Sequence, residues 1–142
     1  MTRIKIYDRL RVFADGGSRG NPGPAGVGVL LLDDKGRKVE EISRYIGNAT
    51  NNVAEYLAVI YGLQEALYRE ARNVVLNIDS QLVARQLKGE YRVKDQNMKK
   101  FFDIALNLFR GFDKVDIREI PREENKDADA LVNKALNLRA LL

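Results

Sequence analysis

The sequence predicts an α/β domain built on a five-stranded mixed sheet, in the element order βββαβααβα, with helices on both faces. Three observations predict it. The chain opens with three apolar runs of strand length, the second and third separated only by "DDKG". From Asn51 the apolar spacing changes to a helical period. Two later β-rich runs, "NVVLNID" and "DKVDIREI", are each framed by helical segments, an arrangement that requires crossover connections and hence parallel pairing.

Taken in order, residues 4–14, 25–33 and 37–46 are the three opening strands. The first junction is the Gly/Pro-rich loop "DGGSRGNPGPAG", and the second is a tight hairpin. The cluster "NATNN" supplies capping residues for a helix running from Asn51 to about Glu70. Residues 73–79 form a buried strand, and "SQLVARQLKG" a short helix closed by Gly89. Across residues 93–112, Met98, Phe101, Phe102, Ala105, Leu108 and Phe109 fall on one face of a longer helix. A last strand, 113–120, stops at Pro121 and is followed by a closing helix that starts at "NKDADALV". The long helix from Asn51 is expected to carry the fourth strand back beside the first, parallel to it, by a right-handed crossover. With 142 residues and no repeat, low-complexity tract or linker, residues 1–142 read as one domain, large enough to bury a core without staples.

Composition removes several kinds of chemistry. The chain has no Cys and no His, which excludes a disulfide, a thiol nucleophile, a Ser-His pair and a Cys/His zinc site. Catalysis would have to use carboxylates, Lys, Tyr, hydroxyls or a hard cation held by oxygen. A net charge of +4 and a pI near 9.4 favour a polyanionic partner. No apolar run reaches membrane-span length and the first ten residues lack a signal-peptide core, so the expectation is a cytoplasmic protein with no membrane partner; separately, a monomer is expected.

The acidic residues can then be placed. Asp15 closes the first strand and Asp79 the fourth; if those strands are parallel neighbours, both carboxylates emerge at the carboxyl edge of the sheet, where open α/β sheets bind ligands. Glu55 lies near the start of the first helix, on the side that carries Ala58, Val59, Gly62 and Ala66. Singly, each acid has an ordinary role: a turn residue, a cap, a partner for the helix dipole. Jointly, three like charges converging without His would repel one another unless a cation sat among them. Near the closing helix, Glu123, Glu124, Asp127 and Asp129 add further acid, and spacing alone does not choose between Asp127 and Asp129.

The segments "DGGSRGNPGPAGVGVLL", "TNNVAEYLAVIYGLQEAL", "NIDSQLV" and "PREENKDADALVNKAL" together resemble the ribonuclease HI family, in its archaeal-type or short bacterial branch. The resemblance covers nearly the whole chain from about residue 9 and implies the ribonuclease H-like fold. It also implies hydrolysis of the RNA strand of RNA/DNA hybrids with two Mg²⁺ ions, Mn²⁺ being an alternative, leaving 5′-phosphate and 3′-hydroxyl ends. Carried over motif by motif, the catalytic and metal-binding acids are Asp15, Glu55, Asp79 and Asp129, with Asp127 left as a helix cap. Asp15 is then the bridging ligand, Glu55 and Asp79 stand on the nucleophile side and Asp129 on the other. By the same resemblance Asn51, Asn52 and Gln81 approach the minor groove, Ser18, Arg19 and Asn21 the RNA backbone, and Thr50 and Ser80 a phosphate of the DNA strand. Double-stranded RNA is a further candidate partner.

Two departures stand out. The best-known bacterial members carry a His before the last acid; here the corresponding loop, "IPREEN", offers Arg122, whose permanent charge suits charge stabilisation or product release but not base catalysis. A long basic protrusion is also missing, and only "GEYRVKDQNMKK" separates the middle helices, which leads us to expect weaker or more salt-sensitive hybrid binding. Three other readings compete: an actin-like or sugar-kinase ATPase, disfavoured by length; a non-catalytic module binding hybrids or double-stranded RNA, disfavoured because all four acid positions are filled; and a transposase or resolvase core with the same acid set.

Overall fold

In the computed structural model, which describes residues 7–142, the chain forms a single five-stranded sheet of order β3-β2-β1-β4-β5. The elements are β1 (Arg9–Ser18), β2 (Gly23–Leu32), β3 (Lys38–Ala49), α1 (Asn51–Tyr68), β4 (Asn73–Ile78), α2 (Gln81–Leu87), α3 (Gln96–Phe109), β5 (Lys114–Glu119) and α4 (Lys126–Ala140), with a 3₁₀ turn at Arg122–Glu124 before α4. This is the expected order. Residues 4–6 of the anticipated first strand lie outside the described residues.

The β1-β2-β3 meander is antiparallel, whereas β4 pairs in parallel with both β1 and β5. At the β2-β3 hairpin, Asp33 accepts the backbone N–H groups of Lys35 and Arg37 on its carboxylate, and Gly36 takes a left-handed conformation at φ 76°. One expectation is corrected here. β1 does not stop at Asp15 but continues through Gly16, Gly17 and Ser18, because these residues pair with Val27, Gly26 and Ala25 of β2. A glycine pair reads locally as loop, yet ladder bonds from a neighbouring strand keep it extended.

The main core lies on the α1 face of the sheet, where Leu10, Val12, Val27, Val29 and Leu76 meet Tyr56, Val59 and Leu63. α3 packs outside α1 through Met98 and Ala105, with Phe101, Phe102, Leu108 and Phe109 partly buried. α4 covers the opposite face: Gly26 and Gly28 of β2 abut it, while Val27 and Val29, which alternate with them, point toward α1. Only residues 88–95 join α2 to α3, so the basic segment between the middle helices is short, as expected.

Candidate active site

The site follows from where parallel pairing ends. The β1–β4 register runs to Ala14 opposite Ile78, so Asp15 and Asp79 are the next residues on two adjacent parallel strands. That is the juxtaposition anticipated at the carboxyl edge, reached although β1 itself runs further. Glu55 is added by α1, whose approach is unusually close: a Cβ on Gly16 would lie 2.1 Å from the Ala54 carbonyl oxygen and 2.6 Å from the Glu55 nitrogen. No side chain other than hydrogen fits there, and the contact brings the Glu55 carboxylate within reach of the Gly16 N–H, which donates to it.

α4 is seated in the same manner. A Cβ on Gly28, the residue paired with Asp15 across the ladder, would lie 2.1 Å from the Ala128 carbonyl oxygen. The residue after Ala128 is Asp129. Thus each helix presses its backbone onto a glycine one position before its acidic residue.

Asp15, Glu55 and Asp79 each offer a carboxylate oxygen, and these oxygens lie within 4.8 Å of one another. Asp15 is buried, Glu55 and Asp79 are partly buried, and Asp129 is exposed at the rim. Burial, reinforced by the negative charges of Asp79 and Asp129, pushes the Asp15 carboxyl up to about 7, although a hydrogen bond shared with Glu55 opposes the rise. Burial and the neighbouring Asp15 hold Glu55 well above the usual carboxylate range. A cluster that resists losing its protons in this way is stabilised by an added positive charge. Its donors are all carboxylate oxygens, the ligand set of a hard divalent cation.

A cleft of about 540 Å³ surrounds the cluster. Ser18, Arg19, Asn51, Asn52, Ser80, Gln81, Arg122 and Asp129 all line it. Asn21 and Thr50 stand behind the rim: Asn21 Oδ1 accepts the Asn51 N–H at 3.0 Å, and Thr50 Oγ1 caps α1 by accepting from Val53 N at 3.2 Å. Asn51 Oδ1 accepts from both the backbone and hydroxyl of Ser18 at 2.8 and 3.1 Å, which leaves its NH₂ group for a ligand. Ser80 caps α2 through Val83 N, and Arg19 donates to Asn137 of α4.

The Asp127/Asp129 ambiguity is resolved by geometry. Asp129 faces the cleft, and Asp127 lines a different hollow beside Lys38. Asp127 is not the helix cap: it sits inside the first turn of α4, and Asn125 occupies the cap position. Two residues in contact with the acids were not singled out from the sequence. Asn133 lies one turn after Asp129 and donates to it at 3.4 Å, a spacing of four that could have flagged it. Asn125, at the N-cap position of α4, donates through Nδ2 to Asp79 Oδ2 at 2.8 Å and to the Ala14 carbonyl at 3.0 Å, and no local signal in the sequence points to that role.

Comparison with known proteins agrees with this arrangement. The family described as reverse transcriptase-like matches residues 13–135. A protein named ribonuclease HI from Halobacterium salinarum is 43% identical over 91% of this chain and 65% of its own length. The chain spans 36% to 65% of the length of the first full-length relatives it matches. Among solved structures, RNase H1 from Halobacterium salinarum NRC-1 superposes with a TM-score of 0.89 at 43% identity, covering 91% of this chain and 98% of that one. LC11-RNase H1, solved in complex with an RNA/DNA hybrid, gives 0.88 at 40% identity, covering 94% and 99%. A sheet of this order, an acid cluster at the carboxyl edge of β1 and β4, and identity at this level across nearly all of this chain and of the solved RNase H1 chains place the protein in the ribonuclease HI family.

Proposed function

We propose that the protein is a metal-dependent endoribonuclease that hydrolyses the RNA strand of RNA/DNA hybrids, using two Mg²⁺ ions, with Mn²⁺ able to substitute, and leaving 5′-phosphate and 3′-hydroxyl ends. The observation that carries the reading is the convergence of Asp15, Glu55 and Asp79 from β1, α1 and the end of β4, in a cleft whose rim is built of amides, hydroxyls and two arginines. Asp15, Glu55, Asp79 and Asp129 would hold the ions. Divalent ions held by these residues would supply a lowered pKa for the attacking water and neutralisation of charge on the departing oxygen.

The remaining work falls to the rim. Asn51, Asn52 and Gln81 present amides suited to a 2′-hydroxyl and to base edges in a minor groove, which distinguishes RNA by its sugars instead of its base sequence. Ser18 and Arg19 stand beside Asp15 to position the strand being cut, with Asn21 bracing Asn51 from behind. Thr50 and Ser80, which cap their helices, would hold a phosphate of the DNA strand at those helix starts. Arg122, exposed at the cleft edge, offsets phosphate charge and assists release of product.

Incubation of a labelled hybrid with wild type and Asp15→Asn, in Mg²⁺ and in Mn²⁺, tests this. We expect wild type to shorten the RNA strand alone and Asp15→Asn to bind the hybrid without cutting it. If wild type binds the hybrid and leaves it intact in both metals, the hydrolase reading fails and the protein is a binding module.

A further inference from the structure

We infer that Asn125 is a positioning residue, one that aims the Asp79 carboxylate at the metal site and locks the start of α4 to the ends of β1 and β4. The inference rests on reading the cleft as a metal-dependent nuclease site. Asn125 is 1% exposed, although the residues on either side of it, Glu124 and Lys126, are exposed. It occupies the N-cap position of α4 with φ −117° and ψ 26°, yet it makes no side-chain capping bond. Asparagine is favoured at such positions because its side-chain oxygen accepts an N–H from the first turn. Here that use is given up.

The side chain serves the site instead. Both hydrogens of Nδ2 are engaged, one by Asp79 Oδ2 at 2.8 Å and one by the carbonyl of Ala14, the residue before Asp15, at 3.0 Å. Turned the other way, the amide would set its oxygen against two oxygens, so its orientation is determined by its surroundings. Oδ1 is buried without a hydrogen-bond partner among the described residues. An unsatisfied buried acceptor weakens a fold, and the side chain bears that cost while its two N–H groups are turned to Ala14 and Asp79.

The consequence for the site is geometric. Holding one oxygen of Asp79 fixes the rotation of that carboxylate and therefore the direction of its other oxygen. The Asn125 carbonyl also accepts the Asp129 N–H at 3.1 Å. A single residue thus sits in register with Asp15, Asp79 and Asp129, on three separate elements. Partners of this kind behind metal-ligating groups usually influence metal affinity and turnover by about 10- to 100-fold.

Asn125→Ala and Asn125→Asp, compared with wild type, decide the matter. Aspartate restores a capping acceptor but cannot donate, and it sets a second negative charge against Asp79. We expect Asn125→Ala to lower kcat by about 10- to 100-fold with KM for the hybrid within about twofold, and to raise the Mn²⁺ concentration for half-saturation, followed by electron paramagnetic resonance, by about tenfold. Asn125→Asp should lose at least as much turnover as Asn125→Ala. Wild-type Mn²⁺ half-saturation and kcat in Asn125→Ala would overturn the inference, and so would an Asp variant that is active where the Ala variant is not, because that pattern belongs to a cap. If Asn125→Ala fails to fold, a folded Asn125→Asp with wild-type Mn²⁺ affinity and turnover overturns it equally. If wild type itself left hybrids intact, the nuclease reading would fail alone, since the Mn²⁺ titration of the variants still reports whether Asn125 aims Asp79.

Discussion

α1 and α4 are docked by the same device and held with unequal strength. Each lays its backbone on a glycine of the sheet, Gly16 for α1 and Gly28 for α4, and each delivers an acid at the next residue, Glu55 or Asp129. α1 is nevertheless a core helix: Tyr56, Ala58, Val59, Leu63 and Ala66 are buried, Thr50 caps it, and α3 packs over it. α4 buries Ala128, Leu131, Val132, Ala135 and Leu136, has no side-chain cap, and leaves Leu138 exposed, as are Leu141 and Leu142 just after it. The lesson is that the same close approach can serve both fold and site at one helix, and mainly the site at the other.

The largest expected effects come from breaking the two seats. Gly16→Ala should abolish cleavage and lower stability by about 3 kcal/mol, because the clash is with backbone and α1 cannot move without disturbing the core. Gly28→Ala should reduce cleavage comparably but cost only about 1–2 kcal/mol, since α4 can lift from its face of the sheet. Thermal melts beside turnover assays check the pair; equal stability losses would erase the distinction drawn between the helices.

Next in size is the charge cluster between them. The folded Asp15 carboxyl titrates near 7, above the 3.8 of a free aspartate, so the folded protein binds its proton more tightly than the unfolded chain. Stability from this group is complete below pH 4 and is lost as pH rises through about 7. In metal-free protein, Asp15→Asn should therefore be the more stable form at pH 8, by about 2 kcal/mol, with the advantage shrinking toward pH 4. Divalent cation should restore wild type and leave the variant unaffected, as read from melting temperature against pH in chelator and in Mg²⁺.

The smallest effect isolates the core side of α1. Tyr56 donates its hydroxyl to Gln86 of α2 at 2.5 Å in a buried setting, and its ring meets Phe102 edge-on at 6.5 Å. Tyr56→Phe keeps the ring and leaves Gln86 without its donor, which should cost about 1–2 kcal/mol. Turnover at low temperature should be unchanged although Glu55 is the adjacent residue, and a drop would mean that the core and site faces of α1 are coupled.

Much of this was legible because periodicity reports burial. The shift from strand to helical spacing at Asn51 and the apolar face of 98–109 gave the element order, and the resemblance named the four acids. The end of β1 was not legible, because the extended state of Gly16–Ser18 depends on ladder bonds from residues 25–27. Asp127 and Asp129 are two apart near the start of one helix, so composition treats them alike, and only the side of α4 that faces β2 separates them.

By itself, the sequence determined which chemistry was closed to this protein, everything that needs His or Cys, and which segments would be strands or helices. Those are local properties of composition and spacing. The tertiary structure alone decided that Gly16 and Gly28 are helix seats and that Asn125 serves Asp79 instead of capping α4. Both are contacts between residues far apart in the chain, 46 positions in the case of Asn125 and Asp79, and they come into being only when β1 and β4 pair and the helices close over the sheet.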